Sequence, residues 1–259
     1  MLRRVPTANL HRPWPAQPPT IAVLSDAPDA ASFAQDLNLP VADERSSEYD
    51  FLLAWIDGGW ELRDNRDARL SPLRVEFINA DFPRYRAGLS RRQPLARALG
   101  KAQFVADATA GLAQDAFRLA LMGYRVTAIE RCAAVAALVR DGLHRLNQTP
   151  HALGDRLQLQ TGDARTLLPA LTPRPEVVYL DPMFPAKRNT SAAVRKELKW
   201  LRDLVGEDPD ALELFERARR AATYRVVVKR PDHAPPLVPN PAASIHGKLV
   251  RYDIYSARI

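Results

Sequence analysis

The sequence is poor in the side chains that build cross-linked or metal-stabilised folds. Of 259 residues only Cys132 is a cysteine, and the five histidines are scattered without the close spacing that metal ligands usually show. A disulfide framework and a cysteine-based zinc site are therefore excluded, and we expect no metal site. A lone cysteine also favours a reducing compartment, for which we take the cytoplasm.

Long apolar runs are missing as well. The longest extends from Cys132 to Val139, whereas a membrane-spanning helix needs about 20 apolar residues, so none is predicted. Residues 1–19 are basic and hold four prolines between Pro13 and Pro19 but no apolar segment. This predicts a flexible leader rather than a secretion signal. The chain as a whole, 46% hydrophobic and 26% charged, has the composition of a globular protein.

Acidic residues are absent from two long segments of a chain whose net charge is +7. Residues 82–106 carry six lysines and arginines and no acid, and residues 217–231 carry six more, also without an acid. Residues 26–50 hold seven acids and only Arg45. Such segregation favours a polyanionic partner, most simply nucleic acid, although solvated faces of an arginine-rich protein would give the same pattern.

Strands alternate with helices after Gly100, which predicts a doubly wound α/β sheet. The predicted strands are Phe104–Ala108, Arg125–Glu130, Leu157–Thr161, Val177–Leu180 and Arg225–Lys229, with a closing hairpin of Ala243–Ile245 and Val250–Ser256. The predicted helices are Leu112–Met122, Ala133–Leu146, Ser191–Leu204 and Pro209–Ala222. A parallel sheet that ends in an antiparallel hairpin is a mixed seven-stranded sheet, which favours the Rossmann-like methyltransferase architecture over a plain dinucleotide fold.

A smaller α+β subdomain is predicted upstream, over residues 20–92. Its elements are a strand at Thr20–Leu24, a helix near Pro28–Leu37, a hairpin of Phe51–Ile56 and Trp60–Arg63 around Asp57-Gly58-Gly59, and a third strand at Val75–Asn79. Residues 81–93 form the expected junction, and residues 93–259 the methyltransferase domain.

Polar residues follow four successive strands of the predicted sheet, at the ends where such sheets bind ligands. Asp107 closes the first strand and Gly111 allows the backbone to approach a ligand. Glu130 closes the second strand, where an acid binds the ribose of a nucleoside-bearing cofactor. Asp163 follows the third strand and can accept a hydrogen bond from an adenine amine, and Asp181 follows the fourth. Helix capping would explain Asp107 or Glu130 taken singly.

The segment Asp181-Pro182-Met183-Phe184 is the most specific motif. It resembles the Asp/Asn-Pro-Pro-Tyr/Phe motif of S-adenosylmethionine-dependent enzymes that methylate exocyclic amines of bases. Such an amine is a poor nucleophile, and a carboxylate together with a backbone carbonyl can accept its two N–H groups and orient it. Pro182 stiffens the loop and Phe184 can stack on a flipped base. A structural loop with Phe184 in the core is the alternative. Cys132, as a cytosine-type nucleophile, lacks a preceding proline and is better explained as a buried thiol.

Four segments resemble the ribosomal RNA small subunit methyltransferase J family: DATAGLAQDAF, AIERCAAVAALVRDGL, VVYLDPMFPAK and VVVKRPDHAPPL. The resemblance covers about residues 93–256 and implies methyl transfer from S-adenosylmethionine to the N2 amine of a guanosine in 16S rRNA. It places the cofactor-binding positions at Gln114, Asp115, Glu130, Arg131, Asp163, Ala164 and Asp181. The chain departs from the family pattern in having Ala113-Gln114-Asp115 where Gly-Arg-Asp is usual, and Asp163-Ala164 where Ser-Ser is usual.

We therefore predict an RNA guanine-N2 methyltransferase that acts on 16S rRNA or the small ribosomal subunit. Asp107 and Gly111 shape the cofactor loop, Asp115 contacts the methionine end, and Asp181, Pro182 and Phe184 hold the target base. Phosphate contacts are expected from six basic residues: Arg91, Arg92, Lys187, Arg188, Lys229 and Arg230. The alternatives are an N-methyltransferase for DNA or another RNA, and a catalytically silent RNA-binding assembly factor. A nicotinamide enzyme is disfavoured because Gly111 lacks partner glycines.

Overall fold

Residues 19–67, 69–183, 204 and 208–257 are described by the structure, a computed structural model, and they form two β-sheets covered by helices. Each helix in these ranges is too short or too polar to cross a membrane. The leader expected at 1–19 and the helix expected at 191–204 lie outside the described residues, except for their last positions.

The first sheet has four strands. They are β1 (Ile21–Leu24), β2 (Val41–Ala42), β3 (Phe51–Ile56) and β4 (Gly59–Asp64), in the order β2-β1-β3-β4, with α1 (Ala30–Leu37) between β1 and β2 in the chain. The predicted β3–β4 hairpin is confirmed, since the two strands pair antiparallel. Asp57 and Gly58 both have positive φ, 47° and 72°, as a tight two-residue turn requires.

The strand predicted at Val75–Asn79 is wrong. An isolated bridge between Leu62 and Leu73 pairs the chain with β4 two residues before this segment, and residues 75–79 themselves form no strand. The alternating apolar residues of this segment are nevertheless buried, with Val75 2% and Phe77 7% exposed. The Val75 carbonyl accepts a hydrogen bond from Arg145 Nη2 at 2.7 Å. A side chain of helix α5 therefore provides the hydrogen bond to the Val75 carbonyl that a partner strand was expected to provide.

The second sheet is the predicted mixed seven-stranded sheet. Its strands are β5 (Phe104–Asp107), β6 (Arg125–Glu130), β7 (Leu157–Thr161), β8 (Val177–Leu180), β9 (Arg225–Pro231), β10 (Ala243–His246) and β11 (Val250–Ser256). The strand order is β10-β11-β9-β8-β5-β6-β7. Strands β5 to β9 pair in parallel, and β11 is antiparallel to both β9 and β10.

Six further helices accompany these strands in the described ranges. They are α2 (Phe82–Ala87), α3 (Pro94–Leu99), α4 (Gln114–Leu121), α5 (Ala133–Asn147), α6 (Ala164–Leu167) and α7 (Ala211–Ala221). The segment that we expected to be a junction thus contains α2, and α3 follows it. Both are short helices with a proline in the first turn, where the missing N–H is tolerated. Helix α4 begins two residues later than expected because Ala113 adopts a left-handed conformation.

The order of the large sheet reverses at β5, which positions the site. The chain runs from β5 through β6 to β7 at one edge, and then returns to place β8 on the other side of β5. Ligands bind open α/β sheets at such a switch point, outside the carboxyl ends of the strands. All four residues of β8 are 0% exposed, so this strand is a fixed base for the loop that follows it.

The two sheets share one hydrophobic core. A single cluster of buried residues extends from Val23 and Leu53 in the small sheet to Val126 and Tyr179 in the large one. Gly142 of α5 marks the contact, because a Cβ there would lie 2.8 Å from both the Val75 carbonyl oxygen and a Val75 methyl. The segment that contains Val75, which follows the small sheet in the chain, is therefore packed tightly against α5.

Candidate active site

A cavity of about 500 Å³ opens at the carboxyl ends of β5, β6 and β8. It brings together every residue expected to contact a cofactor. These residues are Asp107, Gly111, Gln114, Asp115, Glu130, Arg131, Asp163, Ala164 and Asp181. Residues far apart in the chain meet here because parallel strands end at one edge of a sheet.

Glu130, the last residue of β6, holds the loop that follows β5. Its Oε2 accepts the Gly111 N–H at 2.8 Å and its Oε1 accepts the Cys132 N–H at 2.7 Å. Gly111 has a φ of 52°, which a residue with a side chain rarely adopts. Burial raises the pKa of Glu130, although the two N–H groups oppose this effect. Burial also raises the pKa of Cys132 to about 11, so its thiol stays protonated at neutral pH.

Asp163 has two roles in the structure. Its carboxylate caps α6 by accepting the Arg165 N–H at 2.8 Å, and it forms an ion pair with the Arg165 guanidinium at 2.6 Å. Hydrogen bonding with Arg165 holds the pKa of Asp163 below its usual range. The carboxylate still lines the cavity, so any ligand amine there would share it with Arg165.

The loop after β8 is fixed at both of its described ends. The Asp181 N–H donates to Thr109 Oγ1 at 2.6 Å, and the Met183 N–H donates to Asp208 Oδ2 at 2.6 Å. Asp208 also pairs with Arg131 at 2.5 Å. Residues 181–183 are therefore held by the loop after β5 and by the segment before α7. Phe184 lies outside the described residues.

Lys229 of β9 had been predicted to contact RNA phosphate, but the structure places it inside the site. Its Nζ donates to Asp115 Oδ2 and to Asp181 Oδ2, each at 2.8 Å. Asp115 Oδ2 also accepts the Tyr179 hydroxyl at 2.7 Å. Burial lowers the pKa of Lys229, but the two carboxylates outweigh it and leave that pKa above its usual range.

Asp107 is the most deeply buried acid of this group, with 2% of its surface exposed. Burial, followed by the charge of Asp115, raises the pKa of Asp107 to about 8. The pKa of Asp115 is lowered instead, because the hydrogen bonds and charge of Lys229 and the Tyr179 hydroxyl outweigh the effect of burial. At neutral pH this part of the cavity therefore contains a protonated Asp107 beside an ionised Asp115.

The other residues expected to contact phosphate are separated by the fold. Arg230 is only 6% exposed, and its Nε donates to the Pro235 carbonyl at 2.8 Å. Arg91 and Arg92 are exposed, and Arg91 stacks on the Tyr124 ring at 4.4 Å. Lys187 and Arg188 lie outside the described residues. The site proper thus gains Lys229, while Arg91 and Arg92 remain on the surface.

Several lining residues had not been predicted from the sequence. Arg118, Tyr179, Asp208 and Tyr252 all face the cavity. Tyr179 lies in an apolar strand, where an aromatic residue is normally part of the core, and Tyr252 stands between Arg251 and Asp253 in the closing hairpin. Arg118 could have been found, because it follows Gln114 by four residues and so lies on the same face of α4.

The chain is similar to known methyltransferases over most of its length. Residues 32–257 match the family model described as "Putative SAM-dependent methyltransferase". A relative from Thioalkalivibrio sulfidiphilus named ribosomal RNA small subunit methyltransferase J is 43% identical, over 87% of this chain and 92% of its own length. One of the same name from Serratia proteamaculans is 46% identical, over 75% and 82%. The crystal structure of a SAM-dependent methyltransferase from Neisseria gonorrhoeae superposes with a TM-score of 0.69 at 31% identity, covering 92% of this chain and 96% of that one.

The chemistry of the cavity fits S-adenosylmethionine. Its lining includes carboxylates suited to ribose hydroxyls and an ammonium group, and apolar residues such as Ile129 and Leu214 for a ring system. Seven carboxyl groups and three cationic side chains face the space, which suits a ligand with a positive sulfonium. No group of three or more His, Cys, Asp or Glu side chains arranged to hold a metal ion occurs in the described ranges.

Proposed function

The chain belongs to the ribosomal RNA small subunit methyltransferase J family, and on that premise we propose that it transfers a methyl group from S-adenosylmethionine to the exocyclic N2 amine of a guanosine in 16S rRNA. One observation carries the proposal. Asp181, at the end of the central strand β8, faces the cofactor cavity in a loop held at 2.6 Å by Thr109 and at 2.6 Å by Asp208. A ribosomal substrate also implies that the protein acts in the cytoplasm.

Glu130 and Asp163 are the residues that we assign to the nucleoside end of the cofactor. Glu130 lies at the end of the second strand from the switch point, where an acid accepts from ribose hydroxyls. Each of its oxygens accepts one backbone N–H and retains a lone pair. Asp163, beyond the next strand, is assigned to the adenine amine, and Gln114, Arg131 and Ala164 complete this part of the cavity.

Arg118 is the residue that we assign to the methionine carboxylate. The cavity has three cationic side chains among the described residues: Arg118, Arg131 and Lys229. Arg131 is paired with Asp208 and Asp210, and Lys229 with Asp115 and Asp181. Among the described residues, Arg118 makes a 3.4 Å contact with Asp115, a 3.3 Å hydrogen bond to the Tyr85 hydroxyl and a 6.0 Å cation–π contact with the Tyr85 ring. It therefore retains N–H groups that can hold a carboxylate in a fork geometry.

Asp181 is assigned to the target amine. When bound, S-adenosylmethionine supplies a methyl group made electrophilic by the sulfonium. The Asp181 carboxylate and the Pro182 carbonyl would accept the two N–H groups of guanine N2 and turn the nitrogen lone pair toward that methyl group. The nitrogen gains a positive charge as the methyl group is transferred, and an ionised Asp181 is in place to take the proton that it then loses.

The RNA would lie on the basic surface that contains α2 and α3. All six basic residues between Phe82 and Ala106 are exposed: Arg84, Arg86, Arg91, Arg92, Arg97 and Lys101. Lys187 and Arg188, which follow the Asp181 loop in sequence, remain predicted phosphate contacts outside the described residues. In the proposed division into a leader (1–19), a small subdomain (20–92) and a methyltransferase domain (93–259), this surface crosses the last boundary.

Methyl transfer to ribosomal subunits tests the proposal. Small subunits from cells that lack this modification are incubated with the protein and methyl-labelled S-adenosylmethionine, and the rRNA is digested to nucleosides. We expect the label in N2-methylguanosine. Label in another nucleoside, in DNA used as a competing substrate, or in no nucleic acid would overturn the assignment.

A further inference from the structure

Lys229 joins the two halves of the site. Asp115 lies on α4, in the part assigned to the cofactor, and Asp181 follows β8, in the part assigned to the target base. The ammonium of Lys229 contacts both carboxylates at 2.8 Å from a third element, β9. The lysine side chain is only 24% exposed, so it is poorly placed to reach an RNA phosphate.

The surroundings of Asp181 are otherwise acidic. The charged or titratable groups that act on it from the packed elements are Asp107 on β5, Asp115 on α4, Tyr179 on β8, Tyr252 on β11 and Asp208 before α7. Among the described residues, Lys229 is the one cation that contacts the Asp181 carboxylate. Burial raises the pKa of Asp181, Lys229 opposes this effect and the charge of Asp115 adds to it, so the pKa stays above its ordinary value.

We propose that Lys229 is a positioning residue that favours the ionised form of Asp181, aims its carboxylate at the target amine and fixes it relative to Asp115. The proposal rests on the proposed function, because it concerns the acceptor of the amine protons. A protonated Asp181 would present a donor to an N–H group and lose one acceptor oxygen. The rate of methyl transfer should therefore fall as the pH falls through the pKa of Asp181.

The sign of each substitution follows from this geometry. Lys229→Met removes the cation that favours the ionised form, so the pKa of Asp181 rises and the acid limb of the rate profile moves to higher pH. Asp115→Asn removes a neighbouring anion, so the same limb moves to lower pH. Lys229→Arg keeps the positive charge and should restore most of the limb position. A residue needed only for packing would change the rate equally at all pH values.

The test is the pH profile of single-turnover methylation, with protein in excess over unmodified small subunits and with saturating S-adenosylmethionine. For Lys229→Met we expect the acid limb to move up by about one to three pH units, the range over which a nearby opposite charge shifts a carboxyl pKa. The rate should recover to within a few-fold of wild type on the alkaline side. Lys248→Met is the matched control, because this exposed lysine has no ion pair among the described residues.

A uniform loss of rate in Lys229→Met, with the limb in its wild-type position, would overturn the proposal. If Lys229→Met does not fold, Asp115→Asn provides the test. An acid limb that stays in its wild-type position or moves to higher pH in Asp115→Asn would contradict the proposed role of Lys229. The results that contradict the role of Lys229 can be told apart from a failure of the proposed function. If the proposed function were wrong, the wild-type protein itself would not label guanosine N2.

Discussion

At the scale of single residues, the cavity is organised by carboxylates that differ in charge state. Asp107 is held protonated by burial, with a pKa of about 8, whereas Lys229 keeps Asp115 ionised. The ionised form of Glu130 is favoured first by two backbone N–H groups and then by the charge of Arg131. Similar side chains at successive strand ends can therefore serve different parts of one ligand.

Glu130→Gln should weaken the binding of S-adenosylmethionine by about tenfold to a hundredfold. The change removes a charged acceptor, for which about 1.5–3 kcal/mol is typical, and it turns an NH₂ group toward a backbone N–H. Titration calorimetry measures the effect, with the exposed Glu48→Gln as control. Unchanged affinity would remove Glu130 from the cofactor site.

Arg118→Met should distinguish two ligands that differ only at the methionine end. Binding of S-adenosylmethionine should weaken by about tenfold or more, since a charge-assisted hydrogen bond is lost. Binding of 5′-methylthioadenosine, which has no carboxylate, should stay within about twofold, and Arg118→Lys should fall between wild type and Arg118→Met for the first ligand. Equal losses for both ligands would mean that Arg118 supports the cavity without contacting the carboxylate.

At the scale of elements, the large sheet was predictable and the connection before it was not. Strands β6, β7 and β8 have the predicted bounds, because short apolar runs between turn residues define them locally. Helices α2 and α3 are six residues long and begin near prolines, and periodicity cannot be read over so few positions. The Val75 segment alternates like a strand, but its partner is a helix.

The site, like the fold, could be predicted from the sequence only in part. Asp107, Glu130, Asp163 and Asp181 could be placed together, because the ends of parallel strands meet. The role of Lys229 could not be predicted, since it depends on which strand neighbours β8 and on which face of β9 carries the side chain. A basic run in the sequence therefore suggested a surface residue where the fold places an internal ion pair.

Gly142→Ala should destabilise the contact between the Val75 segment and α5. Replacing glycine by alanine in a helix interior normally stabilises the helix by about 0.8–1 kcal/mol. Here the new Cβ would lie 2.8 Å from the Val75 carbonyl oxygen, an overpacked contact that costs about 1–3 kcal/mol. We expect a Tm lowered by several degrees in a thermal melt. Gly88→Ala, where a Cβ meets nothing closer than 3.5 Å, is the control. A raised Tm would contradict this close packing.

At the scale of the whole molecule, negative and positive charge lie in different regions. The cavity has seven carboxyl groups, although the chain carries a net charge of +7. All six basic residues of the run at 82–106 are exposed, whereas those of the run at 217–231 are divided between the surface, the core and the site. In the proposed function, a cationic cofactor would therefore bind the acidic cavity and an anionic RNA the basic surface.

The affinity for RNA should depend strongly on salt through this exposed run. With about six phosphates neutralised, log K should fall with log salt at a slope near −4, at roughly 0.7 per phosphate. Arg91→Gln combined with Arg92→Gln should reduce the slope by about 1.4, and the exposed pair Arg217→Gln with Arg220→Gln should leave it unchanged. Binding titrations at several salt concentrations would reveal a flat response if the run were only a solvated face.

The most direct test of the account as a whole is single-turnover methylation by Asp181→Ala, measured beside its affinity for S-adenosylmethionine. Loss of an acceptor that acts mainly in the transition state costs about 3–4 kcal/mol, so the rate should fall by roughly two to three orders of magnitude while the cofactor still binds measurably. A near-normal rate would mean that residues 181–183 form a structural loop, and a loss confined to cofactor affinity would place Asp181 with the cofactor and away from the target amine.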